Sequence, residues 1–162
     1  MAAPPNAEPV SKITFMMHRN HPVYEILKTE MLIRRDLPYA WYVRVPDLPT
    51  FLRAIAPVLE RRLAQSVLAG YSGELALNFY RAGLHMVFVD GRLQTVENWR
   101  SPLWHSNENA SFPPLVFLQL LFGHRSLDEL RYAYPDVWAN EETAFVLKTL
   151  FPARASWVIP LG

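Results

Sequence analysis

GELALNFYRAGLHMVFVDGRLQTVENWR, residues 73–100, is the stretch that decides the fold. Leu75, Leu77 and Phe79 alternate with Glu74, Ala76, Asn78 and Tyr80, and Leu84, Met86 and Phe88 alternate with His85, Val87 and Val89. Successive side chains of a strand point to opposite faces, so a period of two marks runs with one face turned inward. Asp90-Gly91, between Val89 and Arg92, is a hairpin signal, because both central residues of the tight turn need positive φ. The stretch therefore reads as three antiparallel strands in a meander. Its first loop, around Arg81-Ala82-Gly83, sets the register. With two or four loop residues the large apolar side chains of both strands share a face; with three they do not. The pattern selects an even loop. The second face then carries Tyr80, His85, Val87 and Val89, which is apolar enough to expect partial cover on both sides.

Working outward, Asp47 is expected to cap a helix that holds Pro49 in its first turn. Leu48, Phe51, Leu52, Ile55, Leu59 and Leu63 form its apolar stripe, and Pro57 inside it should kink or restart it. Before that, Tyr39 to Val45 is aromatic and β-branched, a strand ended by Pro46. Lys12 to Met17 has the composition of a short strand, and Val23 to Met31 the spacing of a short helix. After the meander, Ser101 to Ser111 reads as a polar loop, with Ser111 capping a helix opened by Pro113 and Pro114. Residues 115–122 are apolar on nearly every side, which suits plain core, the wall of a ligand cavity or a domain contact. Ser126 and Glu129 form a capping box for a helix reaching about Tyr132. Asn140 caps a last helix, Glu141 to Leu150, stopped by Pro152. Trp157-Val158-Ile159 reads as a closing strand or extended tail.

The 162 residues suffice for one compact domain, and an apolar fraction of 51% argues against disorder. A net charge of +1 gives no field for nucleic acid or a membrane surface. There is no cysteine, so disulfides, thiolate chemistry and cysteine metal sites are excluded. No apolar run reaches the ~18 residues that would read as a membrane span. MAAPPNAEPV lacks the charged start and apolar core of a signal peptide, so a leader and a cytoplasmic location are expected.

Motifs for chemistry are sparse. The five histidines show no HExxH or other metal-ligand spacing. His18 and His21 share a turn, His85 lies on the second face of the meander, and His105 and His124 stand alone. Gly70-Tyr71-Ser72-Gly73 is not a GxSxG elbow, and there is neither a Walker A loop nor GxGxxG. Aromatic and basic residues do not interleave as a base-stacking surface would.

The succession YAWYVRVPDLPTFL (39–52), APVLERRL (56–63), GELALNFYRAGLHMVFVDGRLQTVENW (73–99) and FPPLVFLQLLFGHRSLDELRYAYPDVW (112–138) resembles the C-terminal sterol-carrier-protein-like domain of bacterial GNAT-family N-acetyltransferases, of the architecture seen in the enhanced-intracellular-survival enzymes. The resemblance runs from Tyr39 to the end, leaving residues 1–38 as a leader and connecting segment. It implies an α+β fold, with an antiparallel sheet of about five strands and helices packed mainly on one face.

GNAT enzymes hold the acetyl-CoA pyrophosphate with an R/Q-x-x-G-x-G/A loop at a helix start, and no Arg or Gln here opens such a run. The resemblance then implies a non-catalytic accessory domain. It would shape the acceptor cleft of a catalytic GNAT domain joined in cis or met in trans. No cofactor is expected in this chain; acetyl-CoA would belong to the GNAT domain. Contribution to a homo-oligomer is also expected. In the enhanced-intracellular-survival enzymes the terminal carboxylate acts as a base, a role that would fall to Gly162 if that residue is the natural end. The alternative expectation is a stand-alone carrier of a small hydrophobic ligand or lipid, with Leu84, Met86, Phe88, Phe117, Leu121 and Phe122 around the cavity.

Overall fold

In the computed structural model, which describes residues 43–100 and 108–154 together with Pro22, Val23 and Ile26, the meander is built as its alternation demands. Strand β1 (Gly73–Asn78) pairs antiparallel with β2 (Gly83–Val89), and β2 with β3 (Arg92–Asn98). Leu75 faces Met86 and Leu77 faces Leu84. The intervening loop, 79–82, has the even length the pattern selects, closed by the Phe79 N–H donating to Ala82 O at 2.8 Å. Asp90 (φ 49°) and Gly91 (φ 76°) make the second turn with both central residues left-handed, as the Asp-Gly pair requires. The β2–β3 register shifts at Val87/Phe88, a bulge.

Two further strands complete the sheet. β4 (Ala110–Ser111) runs parallel to β1, and β5 (Trp138–Ala139) pairs antiparallel with β4, giving the order β3-β2-β1-β4-β5. The fold is α+β: a five-stranded, mostly antiparallel open sheet with four helices in the described residues, α1 (Leu48–Ala64), α2 (Val116–Leu121), α3 (Leu127–Ala133) and α4 (Glu141–Leu150).

Local chemistry starts three of the four helices. Asp47 Oδ1 accepts from the Thr50 N–H at 3.0 Å ahead of α1, and Asn140 Oδ1 from the Thr143 N–H at 2.8 Å ahead of α4. Ser126 and Glu129 exchange both hydrogen bonds of the capping box at α3. α2 differs. Ser111 does not cap it but lies in β4, its hydroxyl donating to Asp136 O at 3.2 Å. The helix begins after Leu115 (φ 67°), with no side-chain cap. Pro113 and Pro114 lengthen the approach to the helix, freeing Ser111 for the sheet. Pro57 does not restart α1, which runs unbroken for 17 residues.

One core fills the space between the sheet and the helices. Leu75, Leu77, Leu84, Met86 and Phe88 from the sheet join Leu52, Leu59, Leu63, Leu120, Leu127, Leu147 and Leu150 from the helices, all at 0–1% exposure. Burying each such side chain contributes about 1.5–3 kcal/mol. Phe117 is its aromatic centre, with ring centroids 5.4 Å from Phe79, 5.4 Å from Phe112 and 5.6 Å from Phe151.

Helix α1 also seals the outer edge of β3. Arg53 Nη2 donates to Val96 O at 2.7 Å, and Glu60 Oε1 accepts from the Leu93 N–H at 3.1 Å. An open strand edge is a template for pairing with another chain, and these two side chains occupy two of its backbone groups.

Of Tyr39 to Val45, only Val43–Val45 is described, and it is not strand. Val23 and Ile26 are helical, and the Ile26 N–H donates to Pro22 O at 3.3 Å. The strands expected over 12–17 and 157–159 lie outside the described residues. The chain divides into two compact units, Met1–Asp36 with Trp157–Gly162, and Leu37–Ser156. The five strands, the four helices and their core all belong to the second unit.

Candidate functional site

Three strands that bury one set of side chains must display the other. On the displayed face, Ala76, His85 and Glu97 stand opposite one another across β1, β2 and β3, and Glu74, Val87 and Thr95 form the next row. His85 Nε2 lies 3.1 Å from Glu74 Oε2, and its Nδ1 3.5 Å from Glu97 Oε1. An imidazole with a carboxylate at each nitrogen can donate to both only as the imidazolium. Val87 is half-buried and Ala76 buried, which fits the expected partial cover of this face.

A third row is aromatic at both ends: Trp138, Ser111, Asn78, Gly83 and Trp99 follow one another across β5, β4, β1, β2 and the end of β3. Gly83 is required there. A Cβ would fall 2.8 Å from Trp99 Cε3 and 2.6 Å from Trp99 O, so the indole lies directly on the glycine. At the other end Trp138 is 49% exposed on the edge strand.

Tyr80, two residues beyond Asn78 of this row, is 56% exposed and held at φ 65°. A bulky residue in the left-handed region carries backbone strain, a feature concentrated at functional sites. Two contacts hold it: the Tyr80 N–H donates to Asn78 Oδ1 at 2.8 Å, and the phenol reaches Asp136 O at 3.5 Å. Asn78 Nδ2 in turn donates to Glu108 Oε2. Burial pushes the Tyr80 phenol up from its ordinary value. The Asp136 and Glu108 charges act in the same direction, and a hydrogen bond with Ser111 opposes them. Tyr80 and Trp138 are thus two exposed aromatic side chains linked through the polar groups of Ser111 and Asp136, a composition that suits contact with another protein surface.

Among the described residues, no group of three or more His, Asp or Glu side chains is arranged to hold a metal ion, and no helix is long and apolar enough to cross a membrane.

The six residues expected around a ligand cavity divide between the core and the surface. Leu84, Met86, Phe88, Phe117 and Leu121 are buried in the core at 0–8% exposure. Phe122 comes to the surface at 39%, its ring 5.6 Å from that of Phe51. Two hollows, of about 360 and 550 Å³, lie along the second half of α1, and none of the six lines either. Sequence reasoning placed His85 on this face but missed Trp138 and Ser111, because a two-residue strand has no periodicity to detect. Asn78 two residues before Tyr80 is the local turn signal that could have marked the Tyr80 turn.

Comparison with protein-family models, with curated proteins and with solved structures finds no match to this chain.

Proposed function

We propose that this chain is a non-catalytic accessory domain of a GNAT-type N-acetyltransferase. It shapes the acceptor cleft and packs on the catalytic domain, joined in cis or met in trans, or on a second copy of itself. Acetyl-CoA is bound by the catalytic domain, and the assembly works in the cytoplasm. The observation that carries the reading is the exposure of two large rings, Tyr80 on a strained backbone whose phenol reaches Asp136 O, and Trp138 on the edge strand two residues after Asp136. The resemblance of residues 39–162 adds to it, as does the α+β sheet whose helices share a single core with one face. Carriage of a small hydrophobic ligand is the weaker reading, because it requires Leu84, Met86, Phe88, Phe117 and Leu121 to part.

The test is native purification of the tagged chain from its own cells, with acetyl transfer from radiolabelled acetyl-CoA measured in the eluate. The reading expects an acetyltransferase to accompany the chain, as a subunit or in the same polypeptide, and Trp138→Arg with Tyr80→Arg to weaken a subunit contact or lower the turnover of a joined enzyme. An eluate without acetyl transfer contradicts the reading.

A further inference from the structure

The hollow of about 550 Å³ is formed where the second half of α1 meets the turn between β2 and β3. Pro57, Ala64 and Ala69 give it an apolar wall, and four charged side chains, Glu60, Arg61, Asp90 and Arg92, stand around it.

Two left-handed glycines bring its walls together. Gly91 (φ 76°) lies in the β2–β3 turn, and a Cβ there would sit 3.4 Å from Gly70 N, so the turn packs against the segment before β1. The Gly91 N–H donates to Tyr71 O at 2.9 Å, and the Asp90 N–H to Ser72 Oγ at 2.9 Å, which fixes the backbone that carries the Asp90 carboxylate. A Cβ on Gly70 (φ 77°) would meet nothing within 4 Å, so the space beside it is open.

The four charges divide into a closed pair and two open ends. Glu60 Oε2 accepts from Arg92 Nη1 at 2.7 Å, and Glu60 Oε1 accepts from the Leu93 N–H at 3.1 Å, so both carboxylate oxygens are engaged. The Arg61 guanidinium and the Asp90 carboxylate make no hydrogen bond or ion pair with any described group, nor with each other. Arg61 also lines the smaller hollow, but Asp90 belongs to this one alone.

A guanidinium binds a carboxylate through two parallel hydrogen bonds, and a carboxylate accepts from an ammonium group. One open cation, one open anion and an apolar wall therefore match a molecule that carries both charges on a short apolar frame. We propose that this hollow binds a small zwitterion of the amino-acid or dipeptide class. Its carboxylate is taken by Arg61, its ammonium group by Asp90, and its apolar side chain lies against Pro57, Ala64 and Ala69. A simple anion would be repelled by Asp90, and a simple cation by Arg61. The volume falls in the range of small-molecule sites, roughly 300–1,000 Å³. The site does not depend on the accessory role proposed above.

The experiment is calorimetric titration of the full chain with L-leucine and, separately, with L-alanyl-L-leucine, at neutral pH and constant ionic strength. N-acetyl-L-leucine and L-leucinamide, which each lack one of the two charges, are titrated beside them. The proposal expects saturable binding of at least one zwitterion, and the tighter of the two reports the span between the charged ends. Each single-charge analogue should bind about fivefold more weakly than L-leucine or not at all, and Arg61→Gln and Asp90→Asn should each weaken zwitterion binding about fivefold. Asparagine accepts the left-handed conformation at position 90, and Arg61 is exposed, so both variants should melt close to the parent. Ala64→Trp, at an exposed position on the apolar wall, should weaken binding by filling the hollow. Absence of binding by both zwitterions up to about 10 mM overturns the proposal. So does equal binding of a single-charge analogue, which needs only one end of the site. Binding that neither charge substitution weakens also overturns it, since the ligand then sits elsewhere.

Discussion

The two faces of the central sheet are made by the same three strands, yet they obey different chemistry. On one, Leu75, Leu77, Leu84, Met86 and Phe88 are sealed at 0–1% exposure against the helices. On the other, alternate residues of the same strands set His85 between Glu74 and Glu97, whose side chains are 69% and 59% exposed. Dispersion and apolar burial fix the first face, where each side chain touches many neighbours and none can be removed cheaply. The second is free of that constraint and can carry groups that serve a partner. The difference separates packed from displayed side chains that are adjacent in sequence.

The largest effect expected from breaking the packed face comes from Phe117→Ala. It removes the ring shared by Phe79, Phe112 and Phe151, and a loss of about 3–5 kcal/mol in urea unfolding is predicted. Leu84→Ala should cost about 2–5 kcal/mol by the same measurement, whereas Thr95→Ala, on the exposed face of the adjoining strand, should stay within about 0.5 kcal/mol. Equal costs at Leu84 and Thr95 would erase the contrast between the faces.

Glu60 sharpens the comparison at the sheet's edge. The Arg92 hydrogen bond, joined by the Leu93 N–H, holds its carboxyl below the ordinary value of 4.5, against an opposing effect of burial. A carboxyl lowered in the folded state contributes stability that is full above its ordinary pKa and is lost as pH falls through the lowered one. Glu60→Gln should therefore cost about 1–2 kcal/mol at neutral pH. Acid titrations of unfolding should show a smaller loss below pH 4.5 than in the parent. The smallest effect is expected for Glu97→Gln. Its contact with the His85 ring is long, at 3.5 Å, and exposed, so the change in stability should be under about 1 kcal/mol in urea unfolding.

Much of this architecture was legible in the residues. The alternation in 73–89, the Asp90-Gly91 turn and the caps at Asp47, Ser126 and Asn140 each encode a local geometry, and each is found as read. What escaped were features created by tertiary pairing. Ala110–Ser111 becomes a strand because β1 offers it an edge, and Trp138–Ala139 because β4 does, not because two residues carry a pattern. Ser111 looked like a cap because serine before prolines usually marks a helix start, but the sheet claimed it. Arg61 and Asp90 are about thirty residues apart, and only the packing of α1 along β3 brings them to one hollow. The Tyr80 turn was half legible: Asn78 announces it, but nothing in the sequence announces that its phenol reaches Asp136 O, 56 residues on.

The proposed accessory role assigns the chemistry to a partner, and acetyl transfer by the purified chain tests that most directly. Incubated alone with acetyl-CoA and a panel of primary amines, the chain is predicted to form no acetylated product, while the same assay on the natively purified assembly does. Acetylated amine formed by the chain alone, at a rate that follows its concentration, would contradict the accessory role.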